Sequence, residues 1–223
     1  MNHPDPTLDG ARADNVAARE RLLHSGLRLF AQQGFSKTST RELAEDAGVN
    51  VASISYYFGD KAGLYRAVFM EPLAPIRSRL ARIDEPDLGL EAALRRLYAS
   101  FLEPLKQGDV ARLCMKLRWR ELLEPTGLWE EQLAVDIRPV HEALLGVLCR
   151  HFGVERPDDE LRRLAVCICG LGVHMHVGHD VIDRLAPTLN HNAAALDAWR
   201  DRLVMYALAM VDAERRRRPE ETT

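Results

Sequence analysis

The chain has 223 residues, an apolar fraction of 47% and a formal net charge of −3. This length can bury a full core and hold two modest domains, and the apolar content excludes a disordered chain. The charge excludes a polycation that binds nucleic acid by electrostatics alone; even the first 70 residues are neutral, with eight Lys/Arg against eight Asp/Glu.

Residues 1–13 are polar and proline-containing, and read as a flexible arm, neither a signal peptide nor an anchor. A first helix is expected over 14–33. Asp14 is its candidate cap, Val16, Leu23, Leu27 and Phe30 recur at helical spacing, and Gly34 closes it. Ser39 and Glu42 stand three apart before the next apolar residues, the spacing of a capping box. The short helix they open buries Leu43, Ala44 and Ala47, and Gly48 supplies the positive φ of a tight turn. Asn50 is a strong cap for a second short helix, seated by Ile54 and Phe58.

That pair of helices follows the grammar of a helix-turn-helix whose second helix enters the major groove. Asn50, Val51, Ser53, Ser55, Tyr56 and Tyr57 face outward, with hydrogen-bonding or methyl-bearing groups suited to base edges and phosphates. Val51, Ser53 and Asn50 are the candidate base readers. Thr38, Thr40, Arg41, Ser55, Tyr56, Tyr57 and Lys61 complete the DNA-binding set, with Thr38, Ser55, the two tyrosines and Lys61 setting the phosphate register. Lys61 sits in the first turn of a fourth helix, where a cation opposes the helix dipole unless an anion or acceptor lies nearby.

The fourth helix passes Leu64, Ala67 and Val68 and is interrupted or kinked at Pro72 and Pro75. After a break at 84–89, helices are expected at about 89–106, 109–123, 129–151, 158–184 and 193–216, with no strand pattern of useful length. Glu121 and Glu124 read as an exposed face, and Arg215–Arg218 as a solvated helix end. Met115, Arg118, Trp119, Leu122, Trp129, His141 and His174 are the candidates to line an effector pocket. Leu161, Leu164, Ile168, Leu171 and Met175 step by three and four, as do Leu196, Trp199, Leu203 and Met210 with Ala207 among them. Two such stripes can pair with a symmetry mate into a four-helix bundle, and are the candidate dimer interface.

No GxSxG elbow, phosphate loop, GxGxxG or HExxH motif is present; His141-Glu142 begins like the last but lacks its second His. An enzyme is not expected, nor a cofactor. His176 and His179 are three apart on one expected helical face, without an acidic or Cys partner at a compelling spacing, so no metal is expected. The four Cys form no CxxC pair, and reduced thiols in a cytoplasm are the default. The longest near-apolar run, Ala165–Val173, is about half what a spanning helix needs, so no membrane partner is expected.

On Phe30, Gly34, Phe35, Thr38, Leu43, Ala44, the triplet Ala47-Gly48-Val49, Ile54, Tyr57-Phe58 and Lys61, the chain resembles the TetR/AcrR family of transcriptional regulators. The family often has a tyrosine where this chain has Ser55. The run from Val49 to Val68 looks most like the CecR branch. The resemblance implies an all-α protein: a three-helix helix-turn-helix domain at 14–70, a helical effector-binding and dimerisation domain at 71–218, and a tail at 219–223. It also implies a homodimer joined through the two C-terminal helices, a double-stranded DNA operator, a small-molecule effector, and control of transport or drug-sensitivity genes. The alternative is a helix-turn-helix-derived protein-interaction module without specific DNA binding.

Overall fold

The computed structural model describes residues 6–71 and 83–218, with the backbone alone at 6–13, 129, 132 and 136. The described residues form helices joined by turns and loops, and contain no strand. The order is α1 (Pro6–Gln33), α2 (Thr40–Ala47), α3 (Ala52–Phe58), α4 (Lys61–Met70), α5 (Leu90–Lys106), α6 (Asp109–Leu123), α7 (Trp129–Gln132), a π-helical stretch Leu133–Ile137, α8 (Arg138–Phe152), α9 (Asp159–Val177), α10 (His179–Leu185), a 3-10 turn Pro187–Leu189 and α11 (Ala193–Arg217).

Three of these limits depart from the sequence-based expectation. α1 begins at Pro6, eight residues before Asp14, so part of the expected arm is helix; Pro at a first helical position lacks only an amide that would be orphaned anyway. The helix expected over 129–151 contains a wider π-helical stretch just before Pro139. A proline there brings no amide hydrogen to the regular ladder, and a single π-helical turn inside an α-helix is a known local departure from it. The helix expected over 158–184 breaks at Gly178 with a 69° bend. A Cβ on Gly178 would lie 2.7 Å from the His174 ring, so only glycine fits the corner. His176 and His179 therefore sit on different helices. Pro72 and Pro75 lie outside the described residues.

The chain divides into two compact units. Among the described residues, 6–71 and 113–128 belong to the first, and 83–112 and 129–218 to the second. The core of the first gathers Leu22 and Phe30 of α1, Leu43 of α2, Ile54 of α3, and Leu64 and Val68 of α4, with Leu117 and Leu128 from far along the chain. Phe30, Phe35 and Tyr65 meet edge to face at centroid distances of 5.0 and 5.1 Å. Glu121, expected on an exposed face, is fully buried in this unit.

The core of the second unit is built from Leu94, Leu97, Tyr98 and Leu102 of α5 against α8, α9 and α11. Tyr98 is fully buried and donates to the Ile168 carbonyl at 3.0 Å. Arg215, Arg216 and Arg217 are exposed, as expected of a helix end, but three of the four arginines of the tract also hold partners. Arg218 holds both carboxylate oxygens of Asp158, the α9 cap, at 2.8 and 2.9 Å, and lies 4.9 Å from the Phe152 ring. Arg215 bonds His151 and Arg217 pairs with Glu160, so the end of α11 is pinned to the α8–α9 corner.

His176 is half-buried in this unit, with its ring 6.3 Å from that of Phe101. Burial lowers its pKa to about 4, with His179 adding to the fall and a hydrogen bond to the Phe101 backbone opposing it. The folded state therefore takes up this proton only near pH 4, the unfolded chain near pH 6.5. The contribution to stability is fully present above pH 6.5 and fades as pH falls toward 4. Between pH 7 and 5 the protein should lose on the order of 2 kcal/mol through this group. His176→Gln should lose correspondingly less, as read by urea unfolding; parallel pH curves for the two proteins would contradict the assignment. A second test is Gly172→Ala. The added methyl would meet the Phe101 ring at 2.5 Å, so destabilisation of about 1–3 kcal/mol is expected. An unchanged unfolding midpoint would mean that α5 and α9 do not approach so closely.

Candidate nucleic-acid interface

α2 forms because its ends are closed. Ser39 Oγ accepts from the Glu42 amide at 3.1 Å and the Glu42 carboxylate accepts from the Ser39 amide at 3.5 Å, completing the capping box. At the other end Gly48 takes φ +62°, and the Gly48 and Val49 amides return to the Glu45 and Ala44 carbonyls. Leu43, Ala44 and Ala47 are buried beneath.

α3 starts from Asn50, whose Oδ1 accepts from the Ala52 amide at 2.8 Å. Ile54, 1% exposed, is the plug that seats the helix; burying such a side chain stabilises by about 1.5–3 kcal/mol. Gly59 closes the helix at φ +81°, and Asp60 caps α4 by accepting from the Gly63 amide at 2.7 Å.

The face left to solvent comprises Asn50, Val51, Ala52, Ser55 and Tyr56, with Tyr56 75% exposed. Ser53 and Tyr57 are half-buried at its edge. Tyr57 donates its hydroxyl to Asn15 Oδ1 on α1 at 2.8 Å, and its ring lies 4.8 Å from that of Tyr56. Ala52 was missed in the sequence; its place one turn before Tyr56 is the signal that would have found it.

The remaining candidates divide. Thr40 is half-buried at the start of α2. Arg41 is exposed and paired with Glu45 at 2.8 Å, which raises its pKa by hydrogen bond and charge. Thr38 is not on the surface: it is 1% exposed and gives its hydroxyl to the Gly34 carbonyl at 2.8 Å, so its expected phosphate contact is withdrawn. Lys61 has a different setting from the one expected. Its ammonium donates to the carbonyls of Phe35 and Thr38, each at 3.0 Å, and lies 4.2 Å from the Phe35 ring centroid. These acceptors offset the unfavourable helix dipole, and one of three N–H donors remains for a phosphate. The lysine thus stitches the α1–α2 loop to the head of α4.

The effector candidates are divided between the two units. In the first unit, Arg118 is buried, with its guanidinium 4.8 Å from the Phe69 ring and a bond to the Phe69 carbonyl at 3.3 Å. Met115 and Trp119 are half-buried and Leu122 is exposed. In the second, His141 is half-buried and His174 is exposed. The Trp129 side chain lies outside the described residues.

The stripes expected to pair two copies are turned inward. Leu161, Leu164, Ile168, Met175, Leu196 and Leu203 are buried in the core of the second unit, and Leu171, Trp199 and Met210 pack against it. Helical spacing marks a stripe that is covered, not what covers it. The outer side of α9 instead bears Val166 and Val177, 61% and 58% exposed, with Cys167, Gly170 and His174 between. The outer side of α11 bears Met205 and Tyr206, each 45% exposed.

A family model for bacterial regulatory proteins of the tetR family matches residues 22–68, and one for the C-terminal domain of the HTH-type transcriptional dual regulator CecR matches residues 90–213. The chain belongs to the TetR family. As a TetR-family protein it is a helix-turn-helix transcriptional regulator and not an enzyme. CecR of Shigella flexneri is 31% identical over 175 residues, spanning 72% of this chain and 74% of its own. Two solved structures share the fold. HlyIIR, a hemolysin II transcriptional regulator, matches with a TM-score of 0.58 at 21% identity, over 82% of this chain and 97% of its own. The SmeT–triclosan complex matches at 0.59 and 19% identity, over 89% and 91%. Among the described residues no single helix is long and apolar enough to cross a membrane.

The TetR-type reading head should depend on Lys61 for stability. Lys61→Met keeps the stem and removes both carbonyl contacts, so urea unfolding should show a loss of about 1–3 kcal/mol. An unchanged unfolding free energy would show that the lysine does not stitch the loop.

Proposed function

We propose that this TetR-family regulator is a homodimeric repressor that binds a pseudo-palindromic operator and is released by a small-molecule effector. The observation that carries the reading is the exposed, polar and methyl-bearing face of α3, held on a capped and buried frame. Val51, Ser53 and Asn50 read bases; Thr40, Arg41, Ser55, Tyr56, Tyr57 and Lys61 set the phosphate register. Ala52, beside Tyr56, offers a methyl to a thymine. Two copies meet through the outer faces of α9 and α11, where Val166, Val177, Met205 and Tyr206 are exposed. The work requires access to the genome, which places the protein in the cytoplasm.

Release by a small molecule is supported by family membership and by the solved complex of the related SmeT with triclosan. An effector releases DNA only if it binds the non-binding conformer more tightly; equal affinity for both shifts nothing. The alternative, a protein-interaction module, draws support from the pairing of Arg41 with Glu45 and the internal partners of Lys61.

Selection from a pool of random duplexes separates the two readings. The regulator should return a pseudo-palindrome, and Ser53→Ala or Val51→Ala should change bases within each half-site. Failure to enrich any duplex would favour the interaction module. Val177→Glu should convert the dimer to a monomer in sedimentation and weaken binding to the selected duplex; a dimer unchanged by it would move the interface elsewhere.

A further inference from the structure

Glu121 is a carboxylate with no exposed surface. Burying such a group costs several kcal/mol unless every lone pair finds a donor. Here the donors are neutral. Tyr65 of α4 gives its hydroxyl to Oε2 at 2.8 Å, the Thr126 and Leu128 amides give to Oε1 at 2.8 and 3.1 Å, and the Thr126 hydroxyl lies 3.0 and 3.2 Å from the two oxygens. Burial and these contacts with Glu121 raise the Tyr65 pKa, so the tyrosine remains a donor at neutral pH. Directional bonds to both oxygens of one buried side chain hold it in a single orientation, which makes Glu121 a geometric joint.

Its neighbours reach α4 as well, and α1 besides. Arg118 bonds the Phe69 carbonyl at the end of α4, and Arg120 bonds the Gln32 carbonyl at the end of α1 at 3.2 Å. Leu117 and Leu128 enter the core beside Leu22 and Phe30. Residues 113–128 are therefore a built-in part of the reading head, although the helix-turn-helix lies more than forty residues earlier in the chain. The covalent links from this segment to the second unit, at 112/113 and 128/129, bracket the joint. α4, held at Tyr65, carries Lys61 and Asp60 at its head, directly after α3.

We propose that Glu121 is a positioning residue for operator reading: by holding Tyr65 it fixes α4 and α3 against the segment through which the head is tethered, and so sets the half-site spacing the dimer accepts. This rests on the reading of the protein as a dimeric operator binder.

The test is duplex selection with a randomised spacer between half-sites, run on the full chain, Tyr65→Phe and Glu121→Gln, each with its helix content checked by circular dichroism. The unsubstituted chain should return one sharp spacer. Both variants should return the same half-site bases with a broadened spacer and about tenfold weaker binding to the original duplex, the scale of one lost hydrogen bond to a charged group. Should Glu121→Gln fail to fold, Tyr65→Phe, which removes a single hydroxyl, decides the matter. Folded variants that keep the sharp spacer would overturn the joint while leaving operator binding intact, as would a change in the half-site bases themselves. If the unsubstituted chain enriched no duplex, the operator reading would fall and the inference with it.

Discussion

A helix of seven residues cannot hold itself together in water. Nucleation is unfavourable and too few bonds follow it, so isolated helices shorter than about 12 residues are marginal. α3 is such a helix, and everything around it in the first unit supplies the order it lacks. Asn50 fixes its first turn, Ile54 anchors its middle, Gly59 and Asp60 turn the chain into α4, and Tyr57 ties its flank to α1. The side chains left outside are then presented in one arrangement, which lowers the entropic cost of meeting DNA.

The same constraint explains the buried polar groups. The buried Thr38 and Glu121 and the half-buried Lys61 each bond main-chain groups four or more residues away: the Gly34 carbonyl, the Thr126 and Leu128 amides, and the Phe35 and Thr38 carbonyls respectively. Hydrophobic burial brings the helices together but specifies their angles weakly, whereas such bonds are lost if a helix rotates. A reader of base edges needs the angles as well as the burial. The second unit uses charge for a related purpose at its edge, where Arg218 grips the cap of α9 and Arg215 the end of α8.

What was legible in the sequence was local chemistry. The capping box at Ser39 and Glu42, the left-handed turn at Gly48 and the closure at Gly34 depend on residues a few positions apart, and each is present in the structure; Asn50, one residue before the cap position Val51, accepts from the Ala52 amide. What was not legible depends on which distant segment arrives. The stripe from Leu161 to Met175 has the same spacing whether a second copy or its own subunit covers it, and its own subunit does. Glu121 looks like any surface carboxylate until Tyr65 and the 126–128 amides are brought to it. Lys61 carried a readable anomaly, a cation at a helix head, yet the acceptors proved to be carbonyls of the preceding loop. The effector candidates fall in both units, because spacing along a helix does not say which side chains converge.

The central claim is that α3 lies in the major groove of a duplex bound by two copies. Chemical probing of the bound duplex addresses it directly, because guanine N7 lies in the major groove and adenine N3 in the minor. The account predicts protection of N7 in two patches one helical turn or a multiple apart, lost when Tyr56 and Ser55 are replaced by glutamate. Protection confined to N3, or a single patch bound by one chain, would contradict it.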